Sequence, residues 1–352
     1  MRLMAGKPSV VIFGAGAVGG YIGGLLAGSS GVDVTLVGRE NVARAVRQNG
    51  LVVRDAAGET VTHPAIVTSA EDLPPADLVM LTVRTYDVQA SIPDVRRLMG
   101  ASGLLLAFQN GVGSEERLAE ALGRERVLAA TQTVSTGMEE PGVIVRYSAK
   151  GGIAIATMDG RPVPEWVVTA CSLTGLPVTP VDDYLSLRWS KLLLNMLGAP
   201  VTAILDTDMQ TIASDPALFR VEQLAFREAT RVMATRGVRT VSLPGYPVAA
   251  ALLTMRLPRP LSQRLVGGRL VSARSGRAPG MRQDMLRGKT EIASFNGAVV
   301  DAAREAGVRA PVNAALTDLV QTLTSDPGER ERFRGRPAEL IESLRARGVR
   351  LP

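Results

Sequence analysis

A chain of 352 residues with 46% apolar side chains can fill two cores, and its single cysteine, Cys171, excludes an internal disulfide or a cysteine-based zinc cluster. The net charge of +6 arises from 40 basic and 34 acidic residues scattered along the chain, and aromatics are only 4%, which excludes the clustered, stacking footprint of a nucleic-acid binder. The one histidine, His63, lies in the turn-like stretch THPAI with no G-x-S-x-G motif nearby, so a serine–histidine hydrolase is excluded and His63 reads as a surface residue.

Residues 9–19 read SVVIFGAGAVG, an apolar run that breaks into three glycines and leads into a helical pattern with Val18, Ile22, Leu25 and Leu26 on one face. Gly14 allows the turn off a strand, Gly16 lets the backbone approach a pyrophosphate, and Gly19 lets the helix pack on the strand. The helix N-terminus then offers unpaired N–H groups to phosphate. Gly14, Gly16, Ala17, Val18 and Gly19 are therefore the expected cofactor-binding turn. Residues 9–32 carry no charge, but eight glycines between positions 14 and 31 make a poor membrane span, and the nucleotide-binding reading explains each break. No membrane association is expected, and a reducing, cytoplasmic setting follows from the cysteine usage.

Residues 33–37 predict a second strand, followed by Gly38, Arg39 and Glu40. An acid at this strand end holds a ribose 2′-hydroxyl, whereas an arginine suits a 2′-phosphate. Glu40 sits where the first turn of the next helix favours carboxylates in any case, so Arg39 selects NADPH. A helix over 41–49 and a hairpin over 51–62 come next. Residues 76–83 read as a buried strand with Arg84 at its carboxyl edge, and a helix covers 87–99. A strand over 104–108 ends in Gln109, Asn110 and Gly111. Strand carboxyl ends are where ligands bind in open α/β sheets, which makes Arg84 and Asn110 candidate ligand contacts.

Residues 127–134 close the parallel set, strands at 143–147 and 153–157 append to it in antiparallel fashion, and a helix at 164–173 and a strand at 177–181 complete the first domain. Beyond 182 the pattern is helical: 184–197, 216–236, 246–256, one long helix within 281–305, and 312–323. Residues 257–280, rich in Pro, Gly and Arg, read as a loop insertion, and 325–337 as a charged linker to a short terminal helix.

In RWSKLLLNMLGAPVTAI the helix is apolar nearly all round and hence buried; Lys191 and Asn195, spaced i and i+4, are its polar exceptions and are expected to look into the cleft between the domains. Gln283, Arg287 and Glu291 follow at i, i+4 and i+8 along one predicted helix. A buried Lys191–Glu291 pair is one reading. The other is chemical: reduction of a carbonyl needs a proton donor, arginine cannot supply one, and only Lys191 is placed to do so in a chain without a suitable histidine.

GAGAVGG, VGR after the second strand, QNG after the fifth, KLLLN with PVTAI, and TEI with FNG together resemble the ketopantoate (2-dehydropantoate 2-) reductase family over residues 9–323. The resemblance implies an α/β fold, an N-terminal Rossmann-type doubly wound parallel sheet (1–181) followed by an all-helical substrate and dimerisation domain (182–324) and a tail (325–352). It also implies NADPH, a small keto substrate and a homodimer, with no metal. By resemblance Lys191 is the general acid and Glu291 orients substrate. Asn110 and Asn195 contact substrate or position the lysine. Arg84 is a further candidate for substrate, and Arg39, Arg84, Asn110 and Glu291 are candidate cofactor contacts.

The sequence departs from the family pattern at Arg84 (a lysine in the family), Ala199 (asparagine) and Gly280 (serine), and the Asp284-to-Glu291 spacing is one residue short. These departures leave Lys191 and Glu291 intact and bear on the substrate. Three functions are compatible: ketopantoate reduction, the same chemistry on another ketone or keto acid, and a non-catalytic NADP-binding regulator. A hydroxyacyl-CoA dehydrogenase would need a His–Glu pair that this chain lacks.

Overall fold

Alternation along β1 (Ser9–Phe13) sets the layers of the first unit: Val10 and Ile12 enter one core with Tyr21 and Ile22, while Val11 enters another with Val88 and Leu118. The computed structural model describes residues 6–274 and 280–351. It divides the chain into two units: the first runs to Gln109, resumes over Ser114–Leu187 and takes in Leu243–Tyr246, and the second comprises Asn110–Gly113, Arg188–Ser242 and the chain from Pro247 onward.

The first unit follows β1 with α1 (Ala17–Ala27), β2 (Asp33–Val37), α2 (Glu40–Asn49), β3 (Leu51–Asp55), β4 (Gly58–Thr62), β5 (Ala65–Val67) and β6 (Leu78–Leu81). It continues with α3 (Val88–Met99), β7 (Leu104–Ala107), α4 (Ser114–Leu122), β8 (Val127–Gln132), β9 (Thr136–Glu140), β10 (Val143–Arg146), β11 (Ile153–Thr157), α5 (Glu165–Ser172) and β12 (Val178–Pro180). Eight strands form one sheet in the order β12-β11-β8-β7-β6-β1-β2-β5. From β5 to β8 every pairing is parallel; β11 joins β8 antiparallel, and β12 joins β11 parallel. The order reverses at β1, the switch point where such sheets bind ligands.

The expectation that strands 143–147 and 153–157 both extend this sheet is half corrected. β11 does so, but β10 pairs with β3 and β9 in a separate four-stranded sheet ordered β4-β3-β10-β9. That sheet covers the outer side of α1, whose glycines permit the approach: a Cβ at Gly20 would lie 2.8 Å from Ile144 and one at Gly24 2.8 Å from Val53. The uncharged, glycine-rich run 9–32 is thus strand β1 followed by a helix packed between two sheets. His63 is exposed, as expected.

The second unit contains most of α6 (Tyr184–Met196), then α7 (Ala199–Leu205), α8 (Met209–Ser214), α9 (Pro216–Thr235), α10 (Val248–Arg256), α11 (Arg259–Arg274), α12 (Gly280–Leu286), α13 (Asn296–Glu305), α14 (Pro311–Ser325), α15 (Pro327–Phe333) and α16 (Pro337–Ala346). Trp189, Leu192, Phe219, Phe226, Leu316 and Leu340 are fully buried. No helix among the described residues is long and apolar enough to cross a membrane.

Three expectations are corrected here. The supposed loop 257–280 holds α11: Pro260 falls in its first turn, where a missing N–H costs nothing, and Gly267 packs against Ala213. Residues 275–279, including Arg277, lie outside the described residues. The single long helix within 281–305 is broken, because Gly288 adopts φ +70° and ends α12 before α13 begins. The supposed linker 325–337 contains α15, and the tail is docked through Phe333, Leu340, Leu344 and Val349, all buried.

Two arginines close helix ends. Arg126 donates to Met99 O, Gly100 O and Gly103 O, and Arg227 to Met255 O, Arg256 O and Leu257 O, so planar guanidinium forks cap the carbonyl ends of α3 and α10. A helix C-terminus favours a cation, and a fork satisfies several carbonyls where an ammonium is a point charge.

Candidate active site

In the first unit the chain leaves β1 at Gly14 with φ +115°, and the Gly14 and Ala15 N–H groups donate to Val37 O at 3.0 and 2.9 Å. The turn is therefore tied to the end of β2, beside Gly38 and Arg39. A Cβ on Gly19 would overlap Gly14 O and Thr82 Oγ1, so only glycine lets α1 sit this close. Thr82 Oγ1 donates to Gly14 O at 2.7 Å and thereby fastens the exit of β1 to that of β6. Gly16, extended at φ −87° and ψ −159°, is the N-cap of α1; no side chain caps that end and its first turn carries no acid.

Arg39 is the N-cap of α2, exposed and without a salt bridge among the described residues; Glu40 stands in the first turn of α2. Arg84, half-buried, opens a 3₁₀ turn (Thr85–Asp87) just beyond β6. Uncapped helix amides at a glycine turn fit a dinucleotide, whose pyrophosphate they would hold. A separate pocket of about 240 Å³, lined by Tyr21, Arg146 and Leu173, lies at the other end of α1; Arg146 there is turned to Ser148 O and Ala149 O.

In the second unit Lys191, Leu194 and Asn195 form the half-buried face of α6, while Leu192, Leu193 and Met196 are buried. Lys191 and Asn195 thus share a face. Asn195 Nδ2 donates to Asn110 Oδ1 at 2.9 Å, which leaves Asn110 Nδ2 as a donor and Asn195 Oδ1 as an acceptor for further partners.

Glu291, 4% exposed, is the N-cap of a 3₁₀ turn (Ile292–Ser294). That turn is held against the Asn110 loop: Val112 N donates to Ser294 O at 2.9 Å, and Gly111, at φ +84°, packs so closely on Ser294 that any Cβ would overlap its carbonyl oxygen. The expected helix face Gln283–Arg287–Glu291 does not exist. α12 ends at Leu286, Gln283 and Arg287 are exposed, and Glu291 lies in the turn beyond. Of the departures from the family pattern in the second unit, Ala199 is buried at the start of α7, after Gly198, whose N–H donates to Glu222 Oε2 at 2.8 Å, and Gly280 is exposed at the start of α12.

Sequence reading missed two positioning groups. Gln109 Nε2 donates to Leu81 O at 3.0 Å and Val83 O at 3.2 Å, fixing the end of β7 to that of β6; its place at a strand end in QNG was the available signal. Thr82 has no such signal, because its role depends on a contact 68 residues away.

Residues 10–160 match the family described as ketopantoate reductase PanE/ApbA, and residues 183–324 its C-terminal part. The chain is 32% identical over 323 residues to a 2-dehydropantoate 2-reductase of Halobacterium salinarum, covering 90% of this chain and 99% of that one. Its fold is similar to the crystal structure of a PanE/ApbA family ketopantoate reductase from Ralstonia eutropha (TM-score 0.76, 25% identity, 92% and 99% of the two chains). A ternary structure of D-mandelate dehydrogenase with NADH and anilino(oxo)acetate shares the fold at TM-score 0.71 and 21% identity, over 90% and 98% of the chains. The N-terminal Rossmann-type sheet, the helical second part and these relatives agree: the chain belongs to the ketopantoate reductase family, oxidoreductases acting on a CH–OH group and its ketone.

Proposed function

We propose that this protein uses NADPH to reduce a 2-keto acid to the 2-hydroxy acid, in the manner of ketopantoate to pantoate. The observation that carries the reading is the assembly in the second unit, where Lys191 and Asn195 share one face of α6, Asn195 holds Asn110 at 2.9 Å, and the buried Glu291 precedes a turn fastened to the Asn110 loop. The glycine turn and Arg39 would hold a reduced nicotinamide dinucleotide, which when bound would supply the hydride. Lys191 Nζ gives a proton to the oxygen that becomes the alcohol: its N–H bond breaks as the O–H bond forms. Asn110 Nδ2 and Asn195 Oδ1 fix the keto acid, Glu291 orients it, and Arg84 meets its carboxylate or the cofactor.

A second reading rests on Ala199 and Gly280, which can offer only backbone where relatives are expected to present polar side chains. Each hydrogen bond lost to a buried group costs about 1–3 kcal/mol. Ketopantoate is then reduced less efficiently than a bulkier or differently shaped keto acid. The test is an NADPH-oxidation screen over 2-keto acids including ketopantoate, on the wild type and on Ala199→Asn/Gly280→Ser. If ketopantoate is the best wild-type substrate and the double variant gains nothing, the second reading fails; if no keto acid is reduced, the first fails as well.

A homodimer belongs to the proposal. Leu253, Leu261 and Leu265 of α10 and α11, 64%, 47% and 42% exposed, are apolar side chains that such an interface would cover. Light scattering should give twice the 37.2 kDa of one chain, and a monomer mass would contradict it.

A further inference from the structure

The match to the family ends at residue 324, yet the chain continues into α15 and α16. One arginine of this extension joins two helix ends. Arg330 Nε donates to Leu323 O at 2.5 Å and its Nη2 to Thr324 O at 3.2 Å, both in the last turn of α14; the same Nη2 donates to Met285 O at 2.7 Å, in the last turn of α12. Terminal carbonyls lack partners within the helix and carry partial negative charge, so one guanidinium stabilises both ends and holds them together.

A second tie acts on the start of α12. Asp206, the C-cap of α7 in the left-handed region at φ +51°, pairs with Arg282 of α12 and with Arg334 between α15 and α16, the latter at 3.2 Å; Gly335 N donates to Leu205 O at 2.8 Å. The extension therefore meets the end of α12 directly, through Arg330, and its start only by way of Asp206 of α7.

From α12 to Glu291 the chain has little freedom. The N–H groups of Arg287 and Lys289 both donate to Asp284 O, at 2.9 and 3.0 Å, and Gly288 N donates to Met285 O at 3.0 Å. Ile292 N then donates to Thr290 Oγ1 at 3.1 Å. These bonds join the end of α12 to the residue that follows Glu291.

We propose that Arg330 is a positioning residue for the reaction, with the C-terminal extension acting through α12 to set where Glu291 stands. The inference rests on the reading of Glu291 as the residue that orients substrate. It assigns a role to a segment that lies outside the family match and touches no reacting atom.

The test uses the full-length chain, with ketopantoate or the best keto acid of the screen as substrate. Arg330→Gln raises KM for the keto acid on the order of tenfold and leaves the NADPH dissociation constant unchanged. Arg330→Lys recovers part of the loss, because an ammonium can still serve one helix end. In the Glu291→Gln background, Arg330→Gln adds almost nothing, since both changes act on one path.

A purely structural arginine would instead lower the melting temperature with KM unchanged, or add its full effect to that of Glu291→Gln; either result overturns the proposal while leaving the reading of Glu291 in place. Should Glu291→Gln itself leave kcat/KM intact, that reading fails and the proposal falls with it. If Arg330→Gln does not accumulate as folded protein, Asp206→Asn cuts the tie at the other end of α12 and should raise KM in the same way; an unchanged KM there overturns the proposal.

Discussion

Asn195 on α6 donates its Nδ2 hydrogen to Oδ1 of Asn110, 2.9 Å away and 85 residues earlier in the chain. The direction of this bond fixes both amides, so the pair presents one donor and one acceptor as a unit. Asn110→Ala and Asn195→Ala should each lower kcat/KM for the keto acid, and the double variant should be little worse than the poorer single one. Contacting residues of this kind couple by about 0.5–3 kcal/mol. Fully additive losses would mean that the two side chains act independently and that their bond has no part in substrate binding.

Arg39 should set the cofactor preference. Charge-assisted bonds to a 2′-phosphate are worth about 1.5–3 kcal/mol, hence roughly 10- to 150-fold in affinity. Arg39→Ala should lose that factor for NADPH and leave NADH binding nearly unchanged, as read by quenching or calorimetric titration of both cofactors. An unaltered NADPH-to-NADH ratio would remove Arg39 from the site.

Cys171 is fully buried, and desolvation pushes its thiol up to about 12 from 9.0. At pH 8 the native protein should resist iodoacetamide and keep its activity, while denatured protein is labelled completely. The same shift has a stability consequence with a definite sign. Above pH 9 the unfolded thiol ionises and the folded one stays protonated until about 12, so alkali favours unfolding across that window. Cys171→Ala should flatten this part of the pH–stability curve; an unchanged slope would assign alkaline unfolding to other groups.

The parts of this molecule that were legible in its sequence are those whose physics is local. The turn Gly14–Gly19 announces itself because strand, turn and helix are contiguous, and Lys191 and Asn195 fall on one face of α6 because a single uninterrupted helix carries both. What failed was extrapolation of a period across a break: the spacing Gln283–Arg287–Glu291 looked helical, but Gly288 in the left-handed region ends α12 and turns Glu291 onto a different element. Composition misled over 257–280, where Pro260 sits in the one helical turn that tolerates it. The roles of Thr82, of Gly20 beside Ile144, and of Arg330 at two helix ends depend on partners far off in the chain, and no window of sequence contains them.

Proton delivery by Lys191 is the claim on which the account stands, and steady-state NADPH oxidation by Lys191→Ala with its best keto acid tests it most directly. Loss of a general acid typically costs about 10² to 10⁴ in rate. The account predicts a fall in kcat of that order with NADPH still bound at wild-type affinity, and no recovery of turnover in Lys191→Arg, whose guanidinium keeps its proton. Turnover by Lys191→Ala at the wild-type rate would contradict it.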